Sequence, residues 1–372
     1  MPEKLRLAIA GGGTGGHLYP ALAVVEALQN QREADWEVLF FGTPRGLEAK
    51  VIPELGYRLE LLEIRGLARG LSWSSLKRNW SLPWSIWWAA RRSQQVLEQF
   101  QPHVLLATGG YVAGLPTRQA LKLKIPVVMQ EQNAYPGLVT RRYAARAHRV
   151  FVAYEACGRY LPGARLEVSG NPIRLSLQPV EKAQARAHFQ LEPNRPTLLI
   201  MGGSQGAQAI NRHFLESLPR YLEQLPLQVL WQTGASNYDE IQHSGVLTPR
   251  IRALPFIGEM AIAYSAADIV VSRAGATALA EIAFFGLPSI LIPLPTAAAN
   301  HQEYNARVLV DAGAAFLVLQ RELSYERLFP LLQRLLSYPA QRQEMGAAAR
   351  KLARPDAARI VAQGILEVAH AA

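Results

Sequence analysis

Short and nearly unbroken apolar runs recur along the chain, each followed by a turn and then by a segment with helical spacing. Leu5–Ala10, Trp36–Phe41, Val104–Ala107, Val127–Gln130 and Val150–Val152 have this form in the first half. Thr197–Met201, Gln228–Gln232, Asp268–Ser272, Ser289–Ile292 and Phe316–Leu319 repeat it in the second. Apolar runs this short, with little polar alternation, fit strands covered on both faces, as in a parallel sheet between helix layers. Their alternation with helical segments predicts two doubly wound α/β domains. The turn Gly170-Asn171-Pro172, after a strand ending near Val168, places the junction. The expected domains are 1–170 and 171–352, followed by a closing helical segment, 353–372.

One device occurs once in each half. Leu5–Ala10 ends in Gly11-Gly12-Gly13-Thr14-Gly15-Gly16-His17, and a helical pattern opens around Pro20 with Ala21, Val24, Val25 and Leu28. Thr197–Met201 ends in Gly202-Gly203-Ser204-Gln205-Gly206-Ala207 before another helical segment. A strand, a glycine-rich turn and a helix N-terminus together make an anion site. Glycines let the backbone approach, and free N–H groups with the helix dipole favour negative charge. Gly11, Gly13 and Gly16 also satisfy G-x-G-x-x-G. The next strand, however, ends Phe41-Gly42-Thr43-Pro44, without the acid that holds a dinucleotide ribose. An NAD-dependent oxidoreductase is therefore a minor alternative. Neither loop continues as Gly-Lys-Ser/Thr, which disfavours ATPase chemistry.

Composition narrows the class further. With 372 residues, 49% apolar and 18% charged, the chain is globular and long enough for two cores. Cys157 is the one cysteine, so an internal disulfide and a cysteine-rich zinc site are excluded, and a reducing cytosolic compartment is expected. The apolar run before the first glycines is too short for a signal-peptide core, and no run is long enough for a spanning helix.

Net charge is +10, which asks for an anionic partner: nucleic acid, acidic lipid or a phosphorylated substrate. The excess is uneven. Residues 1–170 carry 21 Lys and Arg against 13 Asp and Glu, a balance of +8 that leaves +2 for the remainder. Ile64–Leu97 contains no acid but holds Arg65, Arg69, Lys77, Arg78, Arg91 and Arg92. It also holds Trp73, Trp80, Trp84, Trp87 and Trp88, with the last four at helical spacing around Pro83. Pro83 should kink or restart that helix. Trp with Arg and Lys is the composition of a bilayer interface, and docking on a membrane is the favoured reading. A core helix with a solvated basic rim and a stacking platform for single-stranded nucleic acid remain open beside it. Arg141, Arg142, Arg146 and Arg149 form a second run without acids.

Taken in order, Gly12-Gly13-Thr14-Gly15-Gly16-His17-Leu18-Tyr19-Pro20, Glu131-Gln132-Asn133, Gly170-Asn171-Pro172-Ile173-Arg174, Gly202-Gly203-Ser204-Gln205-Gly206-Ala207, Ser272-Arg273-Ala274-Gly275-Ala276 with Glu281, and Asn300-His301-Gln302 resemble the MurG family. These are transferases that move N-acetylglucosamine (GlcNAc) from UDP-GlcNAc to undecaprenyl-pyrophosphoryl-MurNAc-pentapeptide (lipid I), making lipid II. The resemblance runs from residue 5 to about residue 315. It implies the GT-B architecture, two Rossmann-like domains with the active site in the cleft between them. It also implies that the closing helix crosses back onto the first domain.

The same resemblance assigns the donor to the C-terminal domain. Ser204 and its turn would meet the nucleotide and phosphates, Arg174 would bind the nucleotide, and Ile257 would offer backbone groups to uracil. Glu281 would accept the ribose hydroxyls. Ala276, Thr277, Ala278, Leu279 and Ala280 would bring helix N-terminal amides toward sugar and phosphate, and Gln302 would bind GlcNAc hydroxyls or phosphate. Thr14, Gly15, Gly16 and Asn133 would close over the donor from the first domain. The chain departs from the family at Thr296 and Ala299, where His and Asp are frequent, and at Ala278, where Thr is frequent with Thr277 now adjacent.

The implied reaction is inverting. The acceptor's C4 hydroxyl attacks the anomeric carbon and UDP leaves, so oriented amides and an arginine must meet developing negative charge. His17 is the candidate base, with a substrate-orienting role open beside it. Glu131 is a second candidate, with packing as its alternative. No Asp-x-Asp pair occurs, so no metal site and no required cofactor are expected, a divalent cation being at most stimulatory. The implied partners are UDP-GlcNAc, lipid I and an anionic membrane at the cytoplasmic face of the bacterial plasma membrane, without nucleic acid. Other cell-wall enzymes are possible partners. The alternatives are a glycolipid synthase using a diacylglycerol-type acceptor and, from another class, a basic nucleic-acid-binding α/β protein.

Overall fold

A computed structural model describes residues 3–31, 33–64, 82–203 and 206–371. Ser204 of the second glycine loop, and Trp73, Lys77, Arg78 and Trp80 of the basic stretch, lie outside the described residues. The chain forms two units, Met1–Leu175 with Pro355–Ala372, and Ser176–Arg354.

The first unit holds β1 (Glu3–Gly11), β2 (Ala34–Gly42), β3 (Arg58–Leu61), β4 (Val104–Gly109), β5 (Val127–Glu131), β6 (Arg149–Val152) and β7 (Leu166–Val168). Every pairing in this sheet is parallel, in the order β3-β2-β1-β4-β5-β6-β7. Its helices include α1 (Gly15–Gln31), α2 (Glu48–Glu54), α3 (Leu82–Phe100), α4 (Gly114–Lys122) and α5 (Leu138–Tyr143). The period of two sorts the side chains of β1: Leu5, Leu7 and Ile9 join one core, and Ala8 and Ala10 the other. The first core is closed by α1, the second by α3 and α4.

The second unit repeats the plan. Strands β8 (Thr197–Met201), β9 (Gln228–Gln232), β10 (Ile251–Leu254), β11 (Ile269–Ser272), β12 (Ser289–Leu291) and β13 (Ala315–Leu317) form a parallel sheet in the order β10-β9-β8-β11-β12-β13. Its helices are α6 (Lys182–His188), α7 (Gln208–Gln224), α8 (Ala235–His243), α9 (Met260–Ala266), α10 (Ala276–Phe285), α11 (His301–Asp311), α12 (Tyr325–Ser337) and α13 (Pro339–Leu352). In both sheets the strand order reverses beside the first strand, between β1 and β4 and between β8 and β11. Ligands of open α/β sheets bind at such points, beyond the carboxyl ends of the strands.

The last helix, α14 (Ala357–His370), belongs to the first unit. Ala358, Val361, Ala362, Ile365, Leu366 and Ala369 recur at three- and four-residue spacing and are buried against the core that contains α1. Glu367 pairs with Arg149 of β6 at 2.8 Å, and a Cβ on Gly364 would lie 2.3 Å from the Phe151 ring.

Several boundaries differ from the sequence reading. The first unit continues past Gly170-Asn171-Pro172 to Leu175, whose N–H donates to Glu26 of α1 at 3.2 Å. The second unit closes at Arg354, not at residue 352. Helix α1 starts at Gly15 and runs through Pro20, which is buried within it. Strands β3 and β10 are missing from the sequence reading because each lies at a sheet edge with one neighbour. Their half-covered sides read RLEL and IRAL, without an unbroken apolar run. Helix α3 is described from Leu82, with Pro83 in its first described turn, where a missing N–H is tolerated. Among the described residues no helix is long and apolar enough to cross a membrane.

Candidate active site

The first glycine loop joins β1 to α1 at the reversal point. Close packing forces its composition. A Cβ on Gly11 would overlap Thr108 Oγ1 of β4, and Gly13 has φ +81°. Gly109 and Gly110, at the end of β4, have φ of +102° and +79°. A Cβ on Gly109 would lie 3.0 Å from the His17 ring, and one on Gly110 would lie 2.5 Å from the Gly12 carbonyl. Two backbone segments without side chains thus form the seat of the His17 imidazole.

Hydrogen bonds then fix the ring. His17 Nδ1 lies 2.9 Å from the Thr108 carbonyl and 2.9 Å from Gln132 Oε1. Gln132 is oriented by its own amide, which donates to Thr108 O at 2.7 Å and to Gln130 O at 3.1 Å. Both groups facing Nδ1 are acceptors, so in the neutral ring Nδ1 carries the proton and Nε2 carries the lone pair. The ring is half-buried and sits in the first turn of α1. Thr14 is exposed, and a Cβ on Gly16 would meet nothing closer than Thr14 Oγ1 at 3.7 Å. Gly16 is therefore not required by packing.

Glu131 is corrected by its surroundings. Its Oε1 accepts from the Asn133 N–H and side-chain amide, both at 3.0 Å. Its Oε2 accepts from Gly137 N–H at 2.9 Å and Thr140 Oγ1 at 2.6 Å. The carboxylate is buried and holds the turn between β5 and α5, with both oxygens occupied. That assigns it to building the turn rather than to proton transfer. Asn133 is held in the same turn. Arg174 falls in the first unit, not the second, with its guanidinium 5.5 Å from the centre of the Tyr19 ring.

In the second unit the glycine loop follows β8. Gly203 and Gly206 have φ of +84° and +76°, and a Cβ on Gly206 would lie 2.4 Å from Thr233 O. Gln232, at the end of β9, ties this loop to the segment before α9: its Nε2 donates to Gly203 O at 3.1 Å, and its Oε1 accepts from Ile257 N–H at 3.0 Å. The Ile257 N–H is thus spent inside the protein. Glu281 of α10 is buried and accepts from Tyr264 Oη at 2.9 Å, fixing the carboxylate in α10.

The start of α10 follows β11 at the second reversal point. Its N-cap is Gly275, which supplies no side-chain cap, so the first-turn amides of Ala276, Thr277 and Ala278 keep the dipole and donors that suit an anion. Ala276 and Leu279 are buried, and Thr277, Ala278 and Ala280 are half-buried. Thr277 Oγ1 is buried and has no hydrogen-bond partner among the described residues. Arg273 holds the adjacent loop, donating to the carbonyls of Ile292 and Pro293 at 3.0 and 3.2 Å and to Gln320 Oε1 at 2.6 Å. Burial pulls its guanidinium down to about 10. Gln302, in the first turn of α11, accepts the Leu294 N–H at 2.9 Å through Oε1, which leaves its amide nitrogen to donate.

The structure therefore gathers His17, Gln132, Asn133 and the first glycine loop in one unit, and the second loop, Ile257, Glu281, Gln302 and the α10 terminus in the other. The sequence reading misses Gln232 and Tyr264, which carry no motif signal. It also misses Gly109-Gly110, whose signal was available: a glycine pair directly after a buried strand.

Two parallel-sheet Rossmann-like units, each with a glycine loop and helix N-termini at its reversal point, make up the GT-B fold. Residues 7–152 match the glycosyltransferase family 28 N-terminal domain and residues 197–361 the family 28 C-terminal domain. Among similar proteins is the UDP-N-acetylglucosamine--N-acetylmuramyl-(pentapeptide) pyrophosphoryl-undecaprenol N-acetylglucosamine transferase of Caldanaerobacter subterraneus subsp. tengcongensis. It is 39% identical over 95% of this chain and 97% of its own length. The enzyme of the same name from Limosilactobacillus fermentum is 39% identical over 95% of both chains. The crystal structure of Acinetobacter baumannii MurG superposes with a TM-score of 0.76 at 30% identity, covering 98% of this chain and 100% of that one. The chain belongs to the MurG family of glycosyltransferases.

Proposed function

We propose that the chain transfers GlcNAc from UDP-GlcNAc, with inversion, to the C4 hydroxyl of MurNAc in lipid I, giving lipid II. The observation that carries the reading is the setting of His17, whose Nδ1 lies 2.9 Å from two acceptors, Thr108 O and Gln132 Oε1. Nε2 then takes the proton of the attacking hydroxyl as general base. The names of its relatives supply the substrates.

The second unit binds the donor. Glu281 accepts the ribose hydroxyls, the Ile257 carbonyl meets the uracil, and Gln302 donates to the sugar or phosphate. Negative charge grows on the diphosphate as the anomeric bond breaks. The uncapped amides of Ala276, Thr277 and Ala278 meet it. No Asp-x-Asp pair is present, so no divalent cation is required in this reading, and one that stimulates acts through the bound diphosphate. The enzyme works at the cytoplasmic face of the bacterial plasma membrane, where the exposed tryptophans and arginines of the first unit dock and the acceptor's polyprenyl chain stays in the bilayer.

The test is transfer of labelled GlcNAc to a lipid I analogue by the wild type and by His17→Ala, with a diacylglycerol acceptor as the comparison. Wild type is expected to use lipid I alone, and His17→Ala to lose roughly 10²–10⁴-fold in kcat. Absence of transfer to lipid I by the wild type overturns the reading.

A further inference from the structure

The first glycine loop is filled from behind by a carboxylate of the protein itself. Glu48, the first residue of α2, is fully buried. Its Oε2 accepts the Gly13 N–H at 2.8 Å. Its Oε1 accepts the Thr43 N–H at 2.9 Å and the Thr43 hydroxyl at 3.1 Å. Glycines from three places surround it. A Cβ on Gly12 would lie 2.6 Å from the Glu48 carboxyl carbon, one on Gly42 2.4 Å from its Cγ, and one on Gly46 2.1 Å from Oε1. Neither Lys nor Arg pairs with this carboxylate among the described residues. Burying an ionised group among neutral donors is costly unless those donors need it. Here two of them are backbone N–H groups of turns, which have no ladder partner of their own.

This arrangement reaches His17 through rigid contacts. Glu48 fixes Gly12 and Gly13. The Gly12 carbonyl packs on Gly110, and Gly109 and Gly110 pack on the His17 ring. The next residue, Thr14, accepts the His17 N–H at 3.2 Å. Thr108, which leaves Gly11 no room for a side chain, supplies the carbonyl that holds Nδ1 and a hydroxyl that donates to the His17 carbonyl at 2.9 Å.

We propose that Glu48 is a positioning residue for the transfer reaction: it takes the place of an anionic ligand in the first glycine loop and holds that loop as the seat of His17. The Gly13 N–H is then unavailable to a substrate diphosphate, and the loop donors left for an anion are those at the start of α1. The inference rests on the reading of His17 as the base, and the test separates the two.

Glu48→Gln presents an amide N–H₂ where an acceptor is required, so a backbone donor loses its partner. The variant is expected to lose 10- to 100-fold in kcat, with KM for UDP-GlcNAc changed less than twofold because the donor is held by the other unit. In a His17→Ala background the same substitution is expected to change kcat less than twofold. A folding defect alone lowers active enzyme in both backgrounds equally. Thr43→Val, which removes one donor and keeps the carboxylate, is expected to follow the same pattern with a smaller loss, and it decides the matter if Glu48→Gln does not fold. Wild-type kcat in both single variants, or an undiminished loss in the His17→Ala background, overturns the positioning role. An active His17→Ala overturns the reading of the base instead.

Discussion

His17 owes its seat to residues that have no side chains. Gly109 and Gly110 are seat positions by steric necessity, whereas Gly16 has open space and an ordinary backbone. The two kinds of glycine should respond differently. Gly110→Ala must adopt a left-handed conformation with its Cβ 2.5 Å from the Gly12 carbonyl, and is expected to lower stability by about 2–4 kcal/mol. Gly16→Ala is expected to leave the melting temperature within about 1 °C of wild type. If transfer falls in Gly16→Ala at unchanged stability, the lost ground belongs to the substrate. A melting curve for each protein, read beside its kcat, checks both.

A second residue-scale consequence concerns acid. His213 of α7 is buried, with its Nε2 2.9 Å from Tyr221 Oη, and burial pulls its pKa down to about 4, against a smaller opposing pull from Glu326. Below pH 6.5 the unfolded chain binds a proton here that the folded chain refuses until about pH 4. Stability from this group is therefore complete above pH 6.5 and lost as pH falls through that window, by roughly 2–3 kcal/mol. Urea midpoints at pH 7 and pH 4.5 should differ less in His213→Gln than in the wild type. An equal difference in the two proteins assigns the acid sensitivity elsewhere.

At the scale of elements, the sequence is legible where one physical rule acts alone. Buried strands such as Thr197–Met201 and Gln228–Gln232 are bounded correctly because both faces are covered and no polar position interrupts them. Edge strands β3 and β10 obey a mixed rule and escape. The start of α1 escapes because five glycines and a threonine carry no periodicity, and the helix there is held by its neighbours rather than by propensity. Within the site, the glycine loops and His17 are visible as motifs. The bonds that decide roles are not: Glu131 reads as a candidate base until four donors are found around it, and Glu48 carries no motif signal.

Helix α14 offers a test of packing against propensity. Alanine is a better helix former than glycine by about 0.5–1 kcal/mol. At Gly364, however, the added Cβ would stand 2.3 Å from the fully buried Phe151 ring, and overpacking costs about 1–3 kcal/mol. Gly364→Ala is therefore expected to destabilise by about 1–2 kcal/mol in denaturant unfolding. A stabilised variant shows that α14 does not sit against β6.

At the scale of the whole molecule, the charge of +10 and its concentration in the first half acquire a surface. Trp84, Trp87 and Trp88 of α3 are 66%, 48% and 53% exposed and contact one another, with ring centres 5.0–6.3 Å apart. Arg91 lies over the Trp87 ring at 5.8 Å. Leu138, at the start of α5, is 74% exposed beside exposed Arg141 and Arg142. Topology relates these elements to the reaction: α3 leads into β4 and α5 follows β5, so both begin at the carboxyl end of the sheet, where the first glycine loop lies. Not every cation in the run is available. Arg92 is paired with Glu60 of β3 at 2.6 Å, and Arg149 with Glu167 and Glu367. The absence of acids from Ile64 to Leu97 overstates the free charge, because folding brings an acid from elsewhere. Binding to vesicles of phosphatidylglycerol and phosphatidylcholine should separate the two classes. Arg91→Glu and Arg142→Glu should each weaken binding several-fold at low salt, at about 1 kcal/mol per cation lost, and less at 0.5 M salt. Trp84→Ala and Trp88→Ala should weaken it at both salt concentrations, since ring burial is not screened. The double variant Arg92→Gln with Glu60→Gln, which removes the pair at constant net charge, should bind nearly as wild type while losing up to about 1 kcal/mol of stability. Equal binding of wild type to neutral and anionic vesicles, or tighter binding to single-stranded DNA than to either, removes the membrane reading and returns the nucleic-acid platform.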